Sequence, residues 1–195
     1  SDGVLVHHGY FWKGENPCLV GPMYERIRTL IQNDISLIAY HLPLDLHTEV
    51  GNNFCFGELL DITHTSTFAV EDIAGLGWIG DLSSPISAEQ LNERLADLCA
   101  RMPLHISVSE KPLQRIAWCT GAAQDGITEA ALAGADAYIS GEISERTVHL
   151  ARELGIHYFA AGHHATERYG IQALGAMIAE KYPVSVEFID IDNPV

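Results

Sequence analysis

Residues 115–164 read RIAWCTGAAQDGITEAALAGADAYISGEISERTVHLARELGIHYFAAGHH, and the alternation in this stretch decides the fold class. Arg115–Cys119 is an apolar run of strand length that breaks at Thr120-Gly121-Ala122-Ala123. Ile127–Ala133 is helical in pattern and is closed by Gly134. Ala137–Ser140 is again a strand, Thr147–Leu154 a helix closed by Gly155, and His157–Ala161 a strand ending at Gly162-His163-His164. Arg168–Lys181 reads as a helix and Val184–Ile189 as a last strand. Strands that alternate with helices predict βαβ units and therefore a mainly parallel sheet.

The same grammar holds at the other end of the chain. Val4–Val6 is a short strand ending at His7-His8-Gly9. Pro22 to about Asn33 places Ile27, Leu30 and Ile31 at helical spacing. Ile35–Tyr40 is a strand ending at His41-Leu42-Pro43-Leu44-Asp45, and Asn52 to about Leu60 is helical. Asp2–Gly9 parallels Asp136–Glu142, and Asn33–His41 with Asp45 parallels Leu154–His163 with Glu167. This points to an internal duplication. It also predicts an element ahead of Ser1, the counterpart of Arg115–Gly134. Residues 62–110 differ in character. They hold a strand at Gly75–Ile79, a capping box of Ser87 and Gln90 opening a helix to about Arg101, and a strand at Leu104–Val108. The expected architecture is α/β, with a mainly parallel sheet from two duplicated βαβ-type halves and a small α+β insertion. Residues 1–61 form the first half, 62–110 the insertion and 111–195 the second half.

Composition removes several function classes. Of 195 residues, 47% are apolar and 19% charged, enough for a core and contrary to disorder. The net charge is −15 with only 11 Lys and Arg residues, which argues against a nucleic-acid-binding face. No apolar run approaches the roughly 20 residues that span a bilayer. No signal peptide opens the chain. Cys18, Cys55, Cys99 and Cys119 show no C-x-x-C spacing and read as free thiols in a reducing compartment. A cytoplasmic protein is expected.

Three polar clusters fall just past the carboxyl ends of expected strands: His7-His8, His41 with Asp45, and His163-His164 with Glu167. In open α/β sheets those ends are where ligands bind. Imidazole nitrogen and carboxylate oxygen suit zinc, iron, manganese or nickel, and no cysteine is needed. Adjacent side chains diverge, so His7 and His8 can serve two different ions. His163 and Glu167 lie four apart and share a face if that turn is helical. Glu167 has two oxygens and can bridge, and Asp45 offers a third carboxylate oxygen. The expected metal ligands are His7, His8, Asp45, His163 and Glu167. The remaining histidines have plainer readings: His64 and His105 as ordinary residues, and His47, His149 and His157 as structural ones. Glu142 is the candidate general base or outer partner, with Glu145 nearby, and His41 is the second catalytic candidate. The loop Tyr10-Phe11-Trp12-Lys13-Gly14 could stack a planar ring and pair with a phosphate, or line a subunit contact. Thr120-Gly121-Ala122-Ala123 reads as a tight turn before an anion site.

Taken together, His7-His8-Gly9-Tyr10-Phe11-Trp12, His41-Leu42-Pro43-Leu44-Asp45, Gly141-Glu142-Ile143-Ser144-Glu145 and Gly162-His163-His164-Ala165-Thr166-Glu167-Arg168 resemble the YbgI-like proteins. Those are often labelled GTP cyclohydrolase 1 type 2 homologues. The resemblance runs along essentially the whole chain. It implies an α/β fold, a dinuclear metal site and a ring-shaped homohexamer of stacked trimers. The family's ligands fall on His7, His8, Asp45, His163 and Glu167. Family members also carry a further segment ahead of the His-His strand. The label does not establish GTP as substrate. Two functions follow as expectations. One is a two-metal hydrolase, cyclohydrolase-like or acting on phosphoesters, with a small-molecule substrate of nucleotide or pterin type. The other is a metal-binding scaffold or regulator without turnover.

Overall fold

The computed structural model describes residues 2–195, apart from the side chain of His64. Ser1, the element expected ahead of it and the reading of His64 therefore lie outside the described residues. In chain order the elements are β1 (Gly3–Val6), α1 (Gly21–Gln32), β2 (Ser36–Ala39), α2 (Leu42–Asp45) and α3 (Asn52–Leu59). Then come β3 (Ile62–Val70), β4 (Ile73–Ile86), α4 (Ala88–Cys99), β5 (Leu104–Ile106) and β6 (Leu113–Cys119). The chain closes with α5 (Ile127–Leu132), β7 (Ala137–Ser140), α6 (Glu145–Leu154), β8 (His157–Ala160) and α7 (His163–Lys181).

The main sheet has six strands in the order β3-β4-β6-β7-β8-β5. Only β6–β7 and β7–β8 are parallel; β3–β4, β4–β6 and β5–β8 are antiparallel. The expected mainly parallel sheet is thus corrected to a mixed one. Residues 62–110 supply all three antiparallel strands, and hydrophobic periodicity identifies a strand without giving its direction. The second sheet is the parallel pair β1–β2. The two stretches expected to be duplicates differ in setting: β7 and β8 lie within the six-stranded sheet, whereas β1 and β2 stand apart from it.

Alternation along β6 divides the core. Ile116 and Trp118 face a cluster with Phe56, Leu91, Leu95 and Phe159. Ala117 and Cys119 face the other, with Ile79, Ile127, Tyr138 and Tyr158. The helix termini follow their sequence signals. Ser87 and Gln90 form the reciprocal capping box at the start of α4. Ser144 and Thr147 form a second box at α6, which ends at Gly155. The largest departures from the expected bounds are three. Strand β4 runs well beyond Gly75–Ile79, α7 begins at His163 rather than Arg168, and Val184–Ile189 forms no strand. That last stretch instead runs back beside α7, where Val186 meets Gly175, Asp190 pairs with His164 and Arg168, and the Val195 carbonyl accepts the His164 N–H. Cys99 and Cys119 are buried, Cys55 is half-buried and Cys18 is exposed; all four are free. No helix among the described residues is long and apolar enough to cross a membrane.

Candidate metal centre

Three chain segments deliver donors to one point. Strand β1 ends at Val6 and presents His7, buried, and His8, whose side chain is 42% exposed. Strand β2 pairs with β1 in parallel, so its end brings His41 alongside. The single turn of α2 then places Asp45, buried, four residues on. Helix α7 begins directly after β8, and its first two turns carry His163 and Glu167 on one face.

The donor atoms converge on Glu167. Its Oε2 lies 2.9 Å from His163 Nε2, 3.2 Å from His8 Nε2 and 3.6 Å from His7 Nε2. Asp45 Oδ1 is 3.4 Å from His7 Nε2. Two donor triads result, His7–Asp45–Glu167 and His8–His163–Glu167, and within each the donor atoms lie within 4.8 Å of one another. A third grouping of the same compactness joins His7, His8 and His41.

Two observations test whether these residues suit a cation. First, His163 Nε2 and Glu167 Oε2 are buried atoms without a hydrogen-bond partner, although they lie close together. A buried polar atom needs a partner, and a cation held by both would supply it. Second, the outer nitrogens are committed. His7 Nδ1 lies 2.9 Å from the Tyr40 carbonyl, and His163 Nδ1 lies 2.7 Å from Glu142 Oε1. Each acceptor favours the neutral tautomer with its proton on Nδ1, so that Nε2 offers its lone pair to the centre once the ring has given up its second proton. Ligating histidines are held in this way by carbonyls and carboxylates. The donor set fits a divalent transition metal.

Charge coupling follows from the same contacts. Burial opposes ionisation of Glu167, but the rings of His163, His7 and His8 outweigh it and hold the carboxyl far below its usual range. Contact with Glu167 lifts His163 to about 9 against the pull of burial, with Glu142 adding to the rise. Burial pulls His7 down, yet Glu167 and Asp45 raise it on balance. Burial pushes Asp45 up, opposed by His7 and by Asn52. Burial and the neighbouring His7 and His8 lower His41.

The structure brings all five expected ligands together, with His41 beside them. The His41 ring lies 5.1 Å from His7 and 5.2 Å from His8, and has no hydrogen bond among the described residues. Glu142 sits behind His163, in the place of an outer partner. Glu145 and His149 are exposed on α6. The Trp12 ring stands edge-on to His41 at 4.9 Å and 5.9 Å from His8, and Phe11 is 77% exposed. His105 and His157 hydrogen-bond each other away from the centre, at the β5–β8 edge.

Three supporting residues had no signal in the ligand alphabet. Gly121, at φ 72°, passes so close that a Cβ would overlap Glu167 Oε1. Thr166 Oγ1 accepts the Gly121 N–H and ties that turn to α7. The turn at Thr120–Ala123 therefore braces Glu167. Asn52, fully buried, contacts Asp45 and α7.

Known proteins resemble this chain along its whole length. The model of the Duf34/NIF3 family (NGG1p interacting factor 3) matches residues 1–194. A protein of Allochromatium vinosum named GTP cyclohydrolase 1 type 2 homolog is 50% identical over 194 residues, covering all of this chain and 76% of that protein. The similarly named protein of Escherichia coli K12 is 47% identical, over all of this chain and 77% of that one. Among solved structures, protein ybgI, described as of unknown function, superposes with a TM-score of 0.94 at 46% identity. That match covers 100% of this chain and 77% of that one.

Proposed function

The chain belongs to the Duf34/NIF3 family, and from that premise we propose that it is a metal-dependent hydrolase built around two divalent ions. The observation that carries this reading is the convergence of two donor triads on the single carboxylate of Glu167. His7, Asp45 and Glu167 would hold one ion, and His8, His163 and Glu167 the other. Zinc, iron, manganese or nickel ions there would supply Lewis acidity and acidify water.

The chain's own residues do the rest. Glu142 holds the His163 ring in the tautomer that leaves Nε2 free. His41, whose pKa is lowered, is neutral at pH 7 and has a nitrogen lone pair available beside the centre. It is the group suited to take a proton from attacking water and return it to a leaving group. Trp12 and Phe11 flank the approach and favour a flat small molecule of nucleotide or pterin type, and Lys13 suits a phosphate. Ring opening of a heterocycle and phosphoester hydrolysis both fit. A cytoplasmic homohexamer completes the proposal; Val4, Ile31 and Ile38 are among the exposed apolar residues that such an assembly would cover.

The test begins with metal analysis of freshly purified protein, followed by turnover of nucleotides, pterins and phosphoesters after chelation and reloading. Two ions per chain are expected, with turnover lost on chelation and restored by the metal. Glu167→Gln should lose both ions. His41→Gln should keep them while the rate falls by about 10²–10⁴-fold. Turnover that survives chelation would overturn the hydrolase reading. Ions without turnover of any substrate would favour the scaffold.

A further inference from the structure

Asn52 is the first residue of α3 and its side chain is fully buried. Its amide spans two elements that both carry donors. Oδ1 accepts the N–H of Gly170 at 2.8 Å, three residues beyond Glu167 on α7. Nδ2 donates to Asp45 Oδ1 at 2.8 Å and lies 3.4 Å from His7 Nε2. The amide's orientation is fixed by chemistry: only oxygen can accept the Gly170 N–H, so the NH₂ must face Asp45. The close approach also requires glycine at 170, where a Cβ would lie 2.6 Å from Asn52 Oδ1. One side chain thus ties the Asp45 carboxylate to the backbone of the helix that carries Glu167.

We propose that Asn52 is a positioning residue that holds Asp45 in ligating geometry toward Glu167 and His7. It thereby sets ion binding at the His7–Asp45–Glu167 triad and leaves the His8–His163–Glu167 triad unaffected. The proposal rests on the metal-centre reading above. The physical reason is that Asp45 lies on a four-residue turn and would otherwise be free to reorient. The Asn52 N–H occupies one lone pair of Oδ1 and leaves the rest of the carboxylate to the cation. Loss of an outer partner of this kind weakens metal binding by about 10–100-fold.

The test uses the full chain titrated with Co²⁺, read by metal content, visible absorption and thermal unfolding. His8→Ala identifies which absorption belongs to which triad. Asn52→Ala should weaken one of the two Co²⁺ ions by about 10–100-fold and change its absorption, while the ion at His8–His163–Glu167 binds as before. Asn52→Asp keeps an acceptor for the Gly170 N–H but loses the donor to Asp45. It also sets a second buried carboxylate against Asp45, so the metal-free unfolding midpoint should fall and the same absorption should change. A lowered midpoint with unchanged absorption in both variants would make Asn52 merely structural and overturn the proposal. So would equal weakening of both ions. Wild-type protein that takes up no Co²⁺ would overturn both this proposal and the metal-centre reading. Wild-type uptake with the outcomes just named overturns this one alone.

Discussion

β1–α1–β2 and β7–α6–β8 are built alike, as two short parallel strands with a helix between; the first unit runs out at His41 and the second at His163-His164. Their surroundings differ. Every residue of β7 and β8 is buried, and α6 buries Thr147 and Ala151. No residue of β1, β2 or α1 is buried, and Val4 and Ile38 are 38% and 46% exposed. Yet His7, one residue past β1, is only 7% exposed. It is enclosed by Asp45, Asn52 and Glu167, which come from α2, α3 and α7. The core positions His163 and Glu167, whereas His7 is held by contacts to α2, α3 and α7 rather than by packing of its own strand. Within the described residues, packing and donor placement therefore differ between the two units.

The largest expected effect tests that difference directly. Phe159, in β8, is fully buried and stacked on His105 with ring centroids 4.2 Å apart. Phe159→Ala should cost about 3–5 kcal/mol in urea unfolding, through lost transfer energy and the cavity left behind. Ile38→Ala, the same kind of truncation in β2 at a residue 46% exposed in the single chain, should cost much less, about 1 kcal/mol, in the isolated chain. Similar losses at the two sites would erase the distinction.

The legibility of the sequence divides along the same line. β6, β7 and β8 were readable because their cores are continuous apolar runs bounded by Gly and polar turns. β3 was not, because Ile62–Val70 is rich in Thr and Ser, and a strand exposed along most of its length leaves little apolar signal. β4 was seen only in part. Gly75, Gly77 and Gly80 weaken a strand pattern, although Gly77 is where the Phe68 ring lies across the strand pair. That His7, His8, Asp45, His163 and Glu167 would meet was legible from their places at strand ends, but their choice over His41 and His164 drew on the family resemblance. Asn52 was not legible. Its role depends on a contact 118 residues away, and an amide belongs to no metal-ligand pattern. Glu142 was half legible: its place beside the strand end was readable, and its hydrogen bond to His163 was not.

If the centre anchors β1, divalent metal should stabilise this region more than the core. At a hundred times the dissociation constant, one bound ion adds about 2.7 kcal/mol to global stability. Amides of β1 and β2 should gain hydrogen-exchange protection, while those of β7 change least. The pH dependence has a definite sign. His163 is raised to about 9, so in metal-free protein its ion pairs add stability that is complete below about 6.5. That contribution is lost as pH rises through about 9. A ligating His163 must be unprotonated, so the metal-induced gain should grow over the same interval. Protection spread evenly over β1 and β7 would show that the centre is not what holds β1.

The smallest effect concerns the core side, where a different histidine pair is placed to respond to acid. His105 Nε2 lies 3.0 Å from His157 Nδ1, and Ser109 Oγ lies 3.2 Å from His157 Nε2. One proton can bridge the two rings; a second would set two donors against each other at that distance. Burial lowers both pKa values, and for His105 the neighbouring His157 adds to the drop. Glu89 opposes the drop at both rings, and Asp136 and Glu110 do so at His157. A lowered histidine makes the unfolded chain bind more protons just below the ordinary value of about 6.5. Stability from this pair is therefore whole above that pH and declines as pH falls. The decline should begin where His105 joins β5 to β8, with faster exchange at Leu104–Ile106. His105→Phe keeps a ring against Phe159 and removes the second titrating group. Its urea midpoint should fall less between pH 7.5 and 5.5 than that of the wild type. Equal slopes would mean that the acid response of the molecule lies elsewhere, and the contrast between the regions would then rest on packing and metal alone.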